Sequence, residues 1–145
     1  MQKNKGFTLI ELIVTLSVLA IISMMAAPSF SDLLAKQKLN SATSDLIDTL
    51  TLARNQAVLL RTATTVNLNS EGANTDLIFY WSPSENNTLK SPTSQSTINF
   101  RRDGSASSAS DISFEICNSK SNTTKTFSLS VMGTLSMTPN KDGTC

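Results

Sequence analysis

Between Phe7 and Ala27 the chain reads FTLIELIVTLSVLAIISMMAA, 21 residues with a single charge, Glu11. As a helix this run is about 31 Å long, close to the thickness of a bilayer's hydrocarbon core. The preceding MQKNKG is polar and carries Lys3 and Lys5. Leading lysines favour a cytoplasmic N-terminus, so everything after Pro28 is expected on the far side of the membrane. An ordinary secretory signal has a shorter apolar core followed by a small-residue cleavage site. Here the run is long, and Met24-Met25-Ala26-Ala27-Pro28 offers a poor site. A plain signal anchor explains the length but not Glu11. A carboxylate in a membrane helix is costly unless paired, which marks Glu11 as functional.

The residues around Glu11 carry a resemblance. Gly6-Phe7-Thr8-Leu9-Ile10-Glu11 resembles the prepilin leader motif of type IV pilins and type II secretion pseudopilins. The resemblance implies that prepilin peptidase cuts between Gly6 and Phe7 and methylates the new Phe7 amine. Glu11 then becomes the fifth mature residue. Pro28 becomes the twenty-second, where such pilins carry a helix-kinking proline. The physics agrees with this. Burying the freed amine in a lipid-like fibre core is costly, and the Glu11 carboxylate of a neighbouring subunit can pair with it. Such a pair offsets two desolvation penalties and sets the register between subunits.

Beyond Pro28 the helix is expected to continue, since a proline inside a membrane helix kinks rather than ends it. Leu39, Ala42, Leu46, Leu50, Ala53, Ala57 and Leu60 recur at steps of three or four, one face of an amphipathic helix. Asp45, Asp48, Arg54 and Gln56 fall largely off that stripe. The helix is expected to fade near Arg61. Strands are expected at 64–69, 77–81, 97–101, 112–117, 126–131 and 135–138. Residues 82–96 read as a polar loop and 103–110 as a turn. Tyr80 and Trp81 end an apolar run and are assigned to the core. The fold class is α+β: a long N-terminal α-helix packed on an antiparallel β-sheet body. The division is a leader, 1–6; a transmembrane or fibre-core helix, 7–28; and a periplasmic body, 29–145. Within the body, 29–61 is amphipathic helix and 62–145 is β-rich.

The body is similar to the GspH/FimT family of minor pseudopilins and minor pilins. Leu52-Ala53-Arg54-Asn55-Gln56-Ala57-Val58 resembles its end-of-helix segment. Phe100-Arg101-Arg102-Asp103-Gly104-Ser105 resembles its central Phe-x-x-Asp-Gly turn, and 112–117 with 127–133 its C-terminal strands. The resemblance implies a minor subunit that primes or joins the tip of a fibre. DNA-binding members carry Gly-Arg-x-Arg near the C-terminus. Here the stretch is Gly133-Thr134-Leu135-Ser136, without either arginine. Arginines there would supply phosphate contacts.

Charge argues the same way. From Ser29 onward ten Lys and Arg face ten Asp and Glu, so the body is formally neutral and not a polyanion binder by composition. Arg101 and Arg102 are the one adjacent basic pair. With Lys120, Lys125 and Lys141 they are the candidate contacts if DNA is a partner, a reading the charge balance does not favour. Catalysis lacks its residues, because the chain has no histidine and its serines sit in polar loops without a recognisable base. No Cys-x-x-Cys or Cys/His cluster suggests a metal, and no cofactor is expected. Cys117 and Cys145 are an even pair in an exported domain and are expected to form a disulfide. Closing a loop of about 29 residues would contribute roughly 3–4 kcal/mol. The Asn86 and Asn122 glycosylation sequons are treated as chance matches. The expected partners are prepilin peptidase, other minor and major pilins, the inner-membrane assembly platform, and membrane lipid before assembly.

Overall fold

A computed structural model describes residues 7–138 and 145, with the side chains of 25–29 outside the description. Gly6 and Lys141 therefore lie outside the described residues. The chain forms two compact units, Met1–Leu34 and Ala35–Cys145. One helix, α1, spans Leu9–Leu60.

In the first unit every described side chain from Phe7 to Met24 is exposed. Among the described residues no helix is long and apolar enough to cross a membrane. Within the span expected over 7–28, the described apolar side chains of α1 run from Leu9 to Met24, about 24 Å at 1.5 Å per residue, short of a bilayer core. The rest of the span expected over 7–28 is residues 25–28, whose side chains lie outside the description. Pro28 lies within α1, so the helix continues past it as expected.

In the second unit the apolar stripe faces the core. Leu39, Ala42, Leu46, Leu50, Ala53 and Ala57 are buried. Leu60 is not: it is 44% exposed, in the last turn, where the chain is already leaving the core. Ala53 and Ala57 are small, which brings the helix backbone close to its neighbours. Ala35 and Thr43 are also buried, and the Thr43 hydroxyl donates to the Leu39 carbonyl at 2.8 Å. The helix stops at Arg61, whose φ is 51°, while Thr62 N–H donates to the Ala57 carbonyl at 3.2 Å. That is a Schellman stop with arginine in the left-handed position usually held by glycine.

Among the described residues seven strands follow: β1 Thr64–Leu68, β2 Ile78–Trp81, β3 Asn87–Ser91, β4 Thr97–Phe100, β5 Ile112–Asn118, β6 Thr123–Leu129 and β7 Leu135–Met137. They form a three-stranded sheet in the order β2-β1-β4 and a four-stranded sheet in the order β3-β5-β6-β7. One core joins them to α1. Val66, Leu68, Phe79, Trp81, Ile98 and Phe100 come from the first sheet, and Phe114, Ile116, Phe127 and Leu129 from the second. Phe114 and Phe127 are register partners and stack with centroids 4.7 Å apart. Trp81 is core as expected, and Tyr80 is half-buried.

The α+β architecture is the expected one, with three differences in detail. β6 runs Thr123–Leu129 rather than 126–131, because Ser130–Gly133 closes a turn. β1 and β2 pair in parallel. Alternating burial of Val66, Leu68, Phe79 and Trp81 is satisfied with either strand direction, so the pattern carries no information on direction. β3 lies inside the expected polar loop 82–96. Its sequence NTLKS has one apolar residue, and it is a strand because the edge of β5 supplies its backbone partners. Asn118 Nδ2 donates to Asn87 Oδ1 at 2.8 Å, and Asn87 Nδ2 donates to the Lys38 carbonyl at 3.4 Å. This buried amide pair ties β3, β5 and α1 together. Cys117 and Cys145 are disulfide-bonded with Cα atoms 5.8 Å apart.

Candidate functional site

The start of α1 is a reciprocal cap built by Thr8 and Glu11. Glu11 N–H donates to Thr8 Oγ1 at 3.3 Å, and Thr8 N–H donates to Glu11 Oε2 at 3.4 Å. The Thr8 hydroxyl also donates to Glu11 Oε2 at 3.4 Å. Together these bonds are a capping box, which satisfies two of the N–H groups that a helix start leaves unpaired. They also hold the Glu11 side chain in one arrangement, with Oε2 engaged and Oε1 making none of these bonds. The Thr-x-x-Glu signature was present in Thr8-Leu9-Ile10-Glu11, and reading it as a cap would have singled out Thr8 beside Glu11.

Glu11 sits in a surface that is otherwise apolar and open. Phe7 is 83% exposed, and Leu9, Ile10, Leu12 and Ile13 are all exposed. The hydroxyls within this stretch turn back onto the helix. Thr15 donates to the Leu12 carbonyl at 2.9 Å, and Ser17 and Ser23 donate to Ile13 and Leu19 at 2.8 Å. Their polarity is thereby used up locally, and the outward surface of the segment suits lipid or other helices.

The candidate anion contacts are not gathered into one site. Arg101 and Arg102 are exposed on a turn closed by Gly104 N–H donating to the Arg101 carbonyl at 2.8 Å. That turn rests on Arg54, whose Nε donates to the Gly104 carbonyl at 3.1 Å. Lys120 lies at the β5–β6 turn, beside Glu85, which pairs with Lys38. From Lys38 to Arg54 the helix rises about 24 Å, so Lys120 and the arginine pair belong to opposite ends of the body. Lys125 is half-buried, opposite Ile116 on β5.

Two exposed carboxylates have perturbed acidity. The hydrogen bond and then the charge of Lys38 hold Glu85 below its ordinary pKa. Bonds from the Ser105 hydroxyl and then the Ser105 N–H hold Asp103 below its own. Both are surface ion and turn contacts rather than reactive groups. Among the described residues no His, Cys, Asp and Glu group is placed to hold a metal ion.

Comparisons with known proteins match both parts of the chain. Residues 1–27 match the prokaryotic N-terminal methylation motif. Residues 42–133 match the family of the type II transport protein GspH. No curated protein matches by sequence. Two crystal structures of the Pseudomonas aeruginosa (strain PAO1) type IV minor pilin FimU share the fold. One is 20% identical with a TM-score of 0.58, covering 72% of this chain and 90% of FimU. The other is 21% identical with a TM-score of 0.55, covering 70% and 93%. With a methylation motif ahead of a helix-and-sheet body of this kind, the chain belongs to the GspH family of pilin-like proteins.

Proposed function

We propose that this chain is a minor type IV pilin, a structural subunit that primes or joins the tip of a type IV pilus. Prepilin peptidase cuts between Gly6 and Phe7 and methylates Phe7. The subunit waits in the inner membrane with its body in the periplasm, and its helix then passes into the fibre. Assembly brings it against other minor and major pilins and the inner-membrane platform. The observation that carries this reading is Glu11, a lone carboxylate held by Thr8 in an exposed apolar helix start. A carboxylate so placed has a use when a neighbour's buried amine reaches it. Sheared surface pili from a deletion strain, compared with the complemented strain, test the role. A large loss restored by complementation supports it, and unchanged pili contradict it.

The description of the matching family as a type II transport protein supports a second reading, a minor pseudopilin of a type II secretion system. The same deletion strain separates the two. Loss of secreted enzymes with intact pili favours the pseudopilin.

A further inference from the structure

We propose that the acidic flank of α1 between Asp45 and Leu59, with the 70–78 segment beside it, is the docking face for a different subunit, one that presents Lys or Arg next to aliphatic side chains. This rests on the reading of the chain as a fibre subunit and names the chemistry of one neighbour in that assembly.

Helical geometry defines the face. Ala53 and Ala57 are buried in the core. At about 100° per residue, Asp45, Asp48, Leu52, Gln56 and Leu59 fall on one side of that buried stripe, along about 21 Å of helix. Arg54 is the one cation between residues 39 and 60, and it falls on the other side. A groove runs between Leu52 and Gln56 on the helix and Asn74, Thr75, Asp76 and Phe79 beside it. Leu52, Leu59, Leu77 and Ile78 are exposed, Leu59 by 75%. Residues 70–78 carry Glu71 and Asp76 and no Lys or Arg. The segment is held in place. Asn74 Oδ1 accepts from Tyr80 N–H at 2.8 Å, and Thr75 N–H donates to the Ile78 carbonyl at 2.8 Å. Docking therefore meets a face that is already ordered.

The charge of this face has one sign. Asp45, Asp48, Glu71 and Asp76 are exposed, and none has an ion-pair partner among the described residues. Asp45 and Asp48 are three apart on the helix and repel each other, a cost that a facing cation removes. The next cation along this side of the helix, Lys38, is bonded to Glu85. Exposed leucines and isoleucine among carboxylates give an apolar centre with a polar rim, the anatomy of a protein interface.

Sign also selects the occupant. Nucleic acid and anionic lipid are repelled. Among the described residues no His, Cys, Asp and Glu group is placed to hold a metal ion. A second copy offers no complement, because the clustered cations of this chain bring acids with them. Arg101 and Arg102 have Asp103 and Asp111 exposed beside them, and Lys38 and Lys120 have Glu85. Arg61, Lys90 and Lys125 stand singly, at the end of α1, on β3 and on β6. The basic face that fits therefore belongs to another sequence, as suits a subunit with unlike neighbours.

The test uses the full-length chain with benzoyl-phenylalanine in place of Leu59, made in its own cells beside its native neighbours and irradiated in the membrane and in sheared fibres. Mass spectrometry is expected to find cross-links to a different protein with its own prepilin leader, through a peptide that contains Lys or Arg. Asp45→Lys with Asp48→Lys and Asp76→Lys should lower the yield about ten-fold, and the partner with those Lys or Arg residues changed to Glu should restore it. Asp45→Asn with Asp48→Asn and Asp76→Asn, which removes charge without reversing it, should lower the yield about three-fold. These are surface changes, and unchanged melting confirms folding. Cross-links only to a second copy, to lipid or to nucleic acid, or a yield indifferent to charge, overturn the proposal. Chain present in fibres without a cross-link to a different subunit overturns the face and leaves the fibre reading intact. Absence from the fibres overturns that reading and the proposal with it.

Discussion

Arg54 Nε donates a 3.1 Å hydrogen bond to the Gly104 carbonyl oxygen, and Gly133 closes over the same two residues. Gly104 and Gly133 both have positive φ, 81° and 79°. A Cβ on Gly133 would fall 2.1 Å from the Gly104 carbonyl oxygen, a backbone atom that has nowhere to go. A Cβ on Gly104 would meet Val58 Cγ2 at 2.8 Å, a half-exposed methyl that can shift with its side chain more readily than a backbone atom, although its β-branched χ1 is stiff. Gly133→Ala is therefore expected to cost about 2–4 kcal/mol and Gly104→Ala about 1–2 kcal/mol. Thermal melts of the full chain in detergent check the order. Equal effects would contradict the backbone-against-backbone account.

That junction also shows what was legible. Phe100-Arg101-Arg102-Asp103-Gly104-Ser105 announced a turn, and the three-and-four spacing of Leu39 to Ala57 announced a buried helix face. Both depend on local pattern. What Arg54 does was not legible. Its partner is 50 residues away, and sequence spacing says only that it leaves the apolar stripe. The same limit hid β3, whose strand character comes from the edge of β5 and the Asn87–Asn118 pair rather than from its own residues. At the N-terminus Glu11 stood out as a charge in an apolar run. Thr8 did not, although its role follows from a short-range motif.

The disulfide joins β5 to Cys145 across a separation of 28 residues. Cys117→Ser with Cys145→Ser should lower stability by roughly 3–4 kcal/mol through the freed unfolded chain. Urea titrations of the oxidised parent and the double variant measure this. A change below about 1 kcal/mol would mean that packing alone fixes the tail.

Acid should weaken the body through Glu85 and Asp103. Both carboxylates have folded pKa values below their ordinary 4.5 and 3.8. Their contribution is complete above those values and is lost as pH falls through the depressed folded values. Melting temperature should therefore fall below about pH 4, and less steeply in a Glu85→Gln, Asp103→Asn variant. Salt should weaken the Glu85 part, because its cause is the exposed Lys38 pair. An identical acid slope in parent and variant would exclude both groups.

The central claim is that Glu11 acts by its charge on a neighbouring subunit, beyond capping its own helix. Glu11→Gln separates the two roles, since the amide oxygen can still accept from Thr8 while the charge is gone. The direct measurement is the amount of this chain in sheared fibres relative to the membrane, for the parent and Glu11→Gln. The account predicts normal processing and membrane levels with the variant depleted from fibres by about ten-fold or more. Incorporation of Glu11→Gln at the parental level would contradict it.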